Sequence, residues 1–375
     1  MGWRRLSLAM LGCAVMAGCP AIADDDDSAG DDDGVVFDEE LAGALDAALD
    51  DLQQEWDAPG IAAAVRLADG AIWSGASGVS DLDSDEAMEP GQPTKIASIT
   101  KTFTATVVLQ LVGEGVLDLD DPLEDWYPGV PGGHAISIRH LLEHSSGIPD
   151  YAATVGYSYG ADDPWTDEEL VALVDGEERL FEPGSSYSYS NTNYVLLGLV
   201  IVAASGVDWR AQVETRLLAP LELVATDSPD DTWGDIVPGY LSGNDQTDTV
   251  HPTTFGAAGC MTSTVLDQVV WGASSLGSDL LEPAEREART EDARSIGGPY
   301  SYGLGILLWD HLGGVEVAHK GALPGYTSWT GFRPDEGIAL ALTANSWVTD
   351  PDSGQYDPQW SVPLSEALWE VVLGR

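Results

Sequence analysis

Strand-like segments sit at both ends of this chain with a helical stretch between them, and no other feature restricts its fold as much. Near the start, Ile61–Leu67 and Ala71–Ser77 are rich in small and branched apolar residues and are joined by a turn at Asp69-Gly70. Near the end, Tyr302–Leu308, Val315–Lys320, Ser328–Arg333 and Ile338–Ala344 are separated by Gly, Pro and Asp. Between them, Ser98–Glu114 and Asn193–Ser205 form apolar helices closed by Gly115 and Gly206, and Ile138–His144 forms a short one. Two further helices flank the strands, Asp38–Trp56 and Trp360–Leu373. The expected fold is therefore α+β (α/β): an antiparallel sheet built from both chain ends and flanked by helices, with a mostly helical region inserted.

The 375 residues carry a formal net charge of −48. That excludes a nucleic-acid binder, which needs clustered cations, and argues against docking on anionic lipid through a basic patch. Trp3-Arg4-Arg5 precedes an apolar run, Leu6–Gly18, too short to cross a bilayer but suited to a signal peptide over residues 1–18. Met16-Ala17-Gly18-Cys19 has the form of a bacterial lipobox, with Cys19 as the lipidated residue. An ordinary signal cleaved near Ala21 or Ala23 is the plainer alternative. Asp24–Asp27 and Asp31–Asp33 then make residues 19–37 a self-repelling acidic linker. The expected location is outside the inner membrane, periplasmic or cell-surface, with a lipid anchor as the membrane contact. With Cys13 and Cys19 set aside, Cys260 stands alone, so no internal disulfide is expected.

Lysine occurs only at positions 95, 101 and 320, which gives weight to Ser98-Ile99-Thr100-Lys101 at the start of the first apolar helix. Residues three apart share a helical face, so Lys101 can lie beside the Ser98 hydroxyl. A lysine stripped of water there loses its preference for the charged form and can accept a proton. Two motifs follow in order: Tyr189-Ser190-Asn191 before the second apolar helix, and His319-Lys320-Gly321 on a late strand. Together with His140–Pro149, Pro183-Gly184, Tyr302-Gly303-Leu304-Gly305 and His319–Tyr326, this set resembles the serine β-lactamase and penicillin-recognising enzymes. It resembles in particular the branch of class C β-lactamases, D-alanyl-D-alanine carboxypeptidases and related esterases. The resemblance runs from about residue 38 to 372.

The resemblance implies a β-lactamase/transpeptidase-like domain over residues 38–375, with 38–90 and 300–375 as the α/β part and 91–299 as the helical part. It implies that Ser98 forms an acyl-enzyme and that Lys101 and Tyr189 share proton transfer. Asn191 would hydrogen-bond a substrate amide, and the backbone N–H groups of Ser98 and Ala322, beside Gly321, would form the oxyanion hole. His319 stands where β-lactamases usually have lysine, which is closer to the peptidase and esterase relatives. Lys320 replaces a small hydroxyl residue and can supply the positive charge that a neutral His319 lacks. The expected activity is hydrolysis of an amide or ester near a D-amino-acid terminus. A generic esterase comes second, β-lactam hydrolysis third, and a non-catalytic penicillin-binding or scaffolding protein is the alternative from another class. A monomer acting on a small-molecule or peptide substrate is expected, with no cofactor and no metal.

Three other patterns compete less well. Gly156-Tyr157-Ser158-Tyr159-Gly160 matches a nucleophile elbow but lacks a strand before it and a helix after it. His140-Leu141-Leu142-Glu143-His144 matches an inverted zinc-protease motif, yet the segment ends at once in Ser-Ser-Gly. Asp81, Asp83 and Asp85 imitate a calcium loop without its Gly or final Glu. Trp73, Trp271, Trp309, Trp329 and Trp369 are expected in the core, and Trp126, Trp165, Trp233 and Trp347 at the rim of a cleft.

Overall fold

A computed structural model describes residues 36–155, 164–276, 280–347 and 361–374. The proposed signal peptide, Cys19, nearly all of the acidic linker and the Gly156–Gly160 pattern lie outside the described residues.

Helix α1 (Glu39–Glu55) starts where the Asp38 carboxylate caps the Leu41 N–H at 2.8 Å, and it buries Leu45, Leu49 and Leu52. Strands β1 (Gly60–Arg66) and β2 (Ile72–Asp81) follow as a hairpin, with Gly70 at φ +95° in its turn. A short β3 (Glu86–Ala87) extends it. The late strands are β4 (Arg294–Gly297), β5 (Tyr300–Tyr302), β6 (Leu307–His311), β7 (Gly314–Leu323), β8 (Tyr326–Arg333) and β9 (Ile338–Ala344). Their order across the sheet is β3-β2-β1-β9-β8-β7-β6-β5-β4, and its neighbours pair antiparallel. The first and last of the described strands thus pair inside the sheet, with Ile61 opposite Ala344 and Arg66 opposite Ala339.

Within the sheet, the stretch Tyr302–Leu308 departs from the sequence reading. It is not one strand but the end of β5, a turn and the start of β6. Gly303 N–H bonds Ile306 O at 2.9 Å, and Gly305 has φ +76°, a conformation open to glycine that breaks the extended backbone. A Cβ on Gly305 would lie 2.2 Å from the Ala105 Cβ, so the turn docks tightly on the helical region.

That region is organised around α2 (Thr100–Gly113) and α4 (Asn191–Ser205), with α3 (Ile138–Leu142) beside them. Helix α2 is buried on nearly every face, as an all-round apolar helix must be. Its threonines are satisfied locally: Thr102 Oγ1 donates to Ile99 O and Thr104 Oγ1 to Ala257 O, both at 2.7 Å. One face of the sheet packs Trp73, Trp309 and Trp329 against α1 and the C-terminal helix α6 (Ser361–Val372), which contributes Trp369. The other face packs Ala62, Ala64 and Ala341 against Val265 and Val269 of α5 (Val265–Trp271). The five tryptophans expected in the core are buried.

Candidate active site

Every residue from Thr94 to Leu109 is buried except Ser98. Ser98 sits not in α2 itself but on the single 3-10 turn Ala97–Ile99 that feeds it. Ala97 has φ +48°, a left-handed conformation that alanine adopts only under constraint, and it turns the chain so that the next side chain faces outward. The turn is clamped against the sheet. Ser328 Oγ on β8 donates to Ile96 O at 3.0 Å, and a Cβ on Gly321 would lie 2.0 Å from that same oxygen. Gly321 therefore lets β7 approach the serine turn, and it does so from outside the cavity wall.

The Lys101 amine is fully buried and lies 3.2 Å from Ser98 Oγ, 2.8 Å from Asn191 Oδ1 and 2.7 Å from Ala258 O. Burial brings it down to about 7, against the opposing pull of the Asp150 carboxylate. Its nitrogen also lies 4.8 Å from the centre of the Tyr189 ring. The Tyr189 phenol hydrogen-bonds Ser98, and burial raises it well above its usual range, so it is a neutral hydroxyl at physiological pH. Ser98, Lys101, Tyr189 and Asn191, 93 positions apart in sequence at their extremes, thus meet around one hydroxyl.

His319 is buried with both ring nitrogens engaged: Nδ1 lies 2.7 Å from Lys320 O and Nε2 2.9 Å from the Tyr302 hydroxyl. The backbone oxygen only accepts, so Nδ1 carries the proton and Nε2 accepts from the phenol. Burial, then the Lys101 charge, pushes this ring down to about 3, and it is neutral at physiological pH. Lys320 and Ala322 alternate with His319 and Gly321 along β7, and both line the cavity onto which Ser98 opens. The cavity holds about 600 Å³. Its lining is in part apolar and aromatic, from Tyr187, Ile296, Tyr300, Leu307 and Val362, and it includes Gly297 and Gly298 at the turn from β4 to β5.

Asp150, which follows Pro149, belongs to this site and was not singled out from sequence. It lines the cavity, and its carboxylate accepts from the Asn191 backbone N–H at 3.0 Å and from Asn191 Nδ2 at 3.1 Å. Both ends of the Asn191 amide are thus engaged within the protein, by Lys101 and by Asp150, whereas the resemblance implies a substrate contact for it. The tryptophans expected at a cleft rim are elsewhere. Trp233 is buried 3.9 Å under Lys95 Nζ, and the aromatic lining here is tyrosine.

The other motifs resolve into structure. Helix α3 stops at Leu142, so His140 and His144 do not share a helical face: His144 has φ +56°. His140 Nδ1 accepts the Ser137 N–H at 3.1 Å, and His144 Nδ1 accepts the Ser190 N–H at 3.2 Å. Asp81 Oδ1 accepts the N–H groups of Asp83 and Ser84, forming the turn between β2 and β3.

A serine beside a buried, near-neutral lysine and a neutral tyrosine, at the seam of an antiparallel sheet and a helical region, defines a serine hydrolase. The Beta-lactamase family model matches residues 45–360, and the chain belongs to that family. Penicillin-binding protein 4* of Bacillus subtilis is 26% identical over 80% of this chain and 69% of its own length. D-aminopeptidase of Brucella anthropi is 28% identical over 80% of this chain and 59% of its own length. Among solved structures, the D-amino acid amidase of Ochrobactrum anthropi, complexed with L-phenylalanine amide, superposes with a TM-score of 0.82 at 28% identity. That match covers 89% of this chain and 99% of the amidase.

Proposed function

We propose that this protein hydrolyses amide or ester bonds adjoining a D-amino acid, through an acyl-enzyme on Ser98. The observation that carries this is the buried Lys101 amine, brought down to about 7 and within 3.2 Å of the one partly open hydroxyl in a buried run. In the proposed reaction, Ser98 Oγ attacks the carbonyl carbon while its proton passes to the neutral Lys101 amine. The developing oxyanion is held by the N–H groups of Ser98 and Ala322, each worth about 3–4 kcal/mol in such sites. Tyr189, protonated and beside Ser98, passes a proton to the departing amine or alcohol. The Lys101 ammonium reprotonates Tyr189, and water then attacks the acyl carbonyl, giving its proton to the neutral Lys101 amine, which returns it by way of Tyr189 to Ser98 Oγ as the acyl bond breaks.

The D-amino acid part of this reading draws on the relatives named above. The apolar and aromatic part of the cavity lining supports a substrate with an apolar side chain. A neutral His319 leaves no fixed cation at that position, which favours a peptidase, amidase or esterase over a β-lactamase. A panel of D- and L-aminoacyl amides, p-nitrophenyl esters, D-Ala-D-Ala peptides and nitrocefin, run on wild type beside Ser98→Ala, tests it. Turnover of D-aminoacyl amides that vanishes in Ser98→Ala is expected; turnover surviving that substitution overturns the mechanism. Failure of a fluorophosphonate to label Ser98 would instead favour the non-catalytic binding protein. Export and lipid attachment at Cys19 complete the proposal. Radiolabelled palmitate should be incorporated by the wild type and not by Cys19→Ser.

A further inference from the structure

The Asp150 carboxylate makes four hydrogen-bond contacts: the N–H groups of Ala152 at 3.1 Å and Asn191 at 3.0 Å, and Asn191 Nδ2 at 3.1 and 3.3 Å. An ionised carboxylate only accepts, so the NH2 end of the Asn191 amide must face it and the carbonyl end must face Lys101. That carbonyl, 2.8 Å from Nζ, and Ala258 O, 2.7 Å from Nζ, are acceptors for the two hydrogens of a neutral amine. The lone pair is left for the third neighbour, Ser98 Oγ. A reversed amide would offer an N–H to Nζ and draw the lone pair away from the serine.

We propose that Asp150 is a positioning residue which, through the Asn191 amide, aims the Lys101 lone pair at the Ser98 hydroxyl. This rests on the acyl-enzyme reading given above. Asp150 has a second effect through its charge. The other groups facing the amine are the His144 and His319 rings, kept neutral by burial, and the Tyr189 and Tyr194 phenols, kept protonated. The Arg289 guanidinium lies behind Tyr194 and donates to Thr102 O. Asp150 is thus the anion that opposes the loss of the lysine's proton.

The test is the burst of p-nitrophenol from a p-nitrophenyl ester, followed from about pH 5 to 9 in wild type, Ser98→Ala, Asp150→Asn and the double variant Asp150→Asn/Asn191→Asp. In Asp150→Asn the acylation rate at the plateau should fall about a hundredfold with KM little changed. Its acid limb should move down by about 1 pH unit, because the lysine loses its anionic neighbour. The double variant restores a carboxylate–amide pair in reversed order. It should recover most of the plateau rate and move the acid limb above that of wild type. Asp150→Asn with the wild-type rate and limb overturns the inference. So does a slow Asp150→Asn whose limb is unmoved and whose rate the double variant fails to recover, since a purely structural residue would behave so. If Asp150→Asn does not fold, recovery in the double variant supports the inference and its absence overturns it. A wild type that releases no p-nitrophenol in a Ser98-dependent way, by burst or steady turnover, overturns the acyl-enzyme reading itself, and the inference with it.

Discussion

At Lys101, burial and charge act in opposite directions. Loss of water favours the neutral amine, the Asp150 carboxylate favours the ammonium, and the balance lies at about 7. Because the neutral form accepts the serine proton, kcat/KM for acylation should rise as the pH rises through about 7, as read from a pH–rate profile. Lys101→Met should lower kcat/KM by about a hundredfold to ten-thousandfold while circular dichroism stays native. Tyr189→Phe should lower kcat by about a hundredfold with substrate binding retained, since only the shuttled proton is lost; steady-state kinetics separates the two. Ser98 and Lys101 were legible in sequence because three-residue spacing on a helix is a contact, and lysine is rare in this chain. Asp150 was not, because its partner Asn191 lies 41 residues away and nothing in the spacing joins a carboxylate after a proline to an amide at a helix start.

The element that matters most is the strained turn between Ile96 and α2. Ala97→Gly should leave stability within about 1 kcal/mol of wild type, since relief of positive-φ strain offsets the greater freedom of the unfolded chain. Ala97→Val should cost about 2 kcal/mol or more, because a branched Cβ disfavours that conformation; urea midpoints decide both. Gly321→Ala should push β7 off the turn, costing about 1–3 kcal/mol and most of the acylation rate. Strands β1, β7, β8 and β9 were readable from their apolar runs. The break between β5 and β6 was hidden because Leu304 and Ile306 continue the apolar character through a turn. Strand β4 was missed because Arg294–Gly297 shows no run of apolar residues and pairs at the sheet's edge.

Between about pH 7 and 9, proton binding is biased against the folded state by its buried lysines. Lys95 and Lys101 drop from an ordinary 10.5 to about 7, and His319 drops from 6.5 to about 3, burial being the main cause. The unfolded chain binds more protons in these windows, so the lysine contribution is full above about 10.5 and is lost as the pH falls towards 7. The histidine contribution is lost between about 6.5 and 3. Stability should therefore increase from pH 6 to pH 9, and Lys101→Met should flatten that rise in denaturant titrations. A net charge of −48 adds self-repulsion that salt screens, so the thermal midpoint should climb with ionic strength.

The reacting groups hang from core turns and helices, whereas Gly297 and Gly298, which also line the cavity, are two adjoining glycines at positive φ where the last two strands at one edge of the sheet meet. Residues inserted there would reshape what fits beside the serine without disturbing the chemistry. A lineage carrying this scaffold is free to change its diet one rim residue at a time.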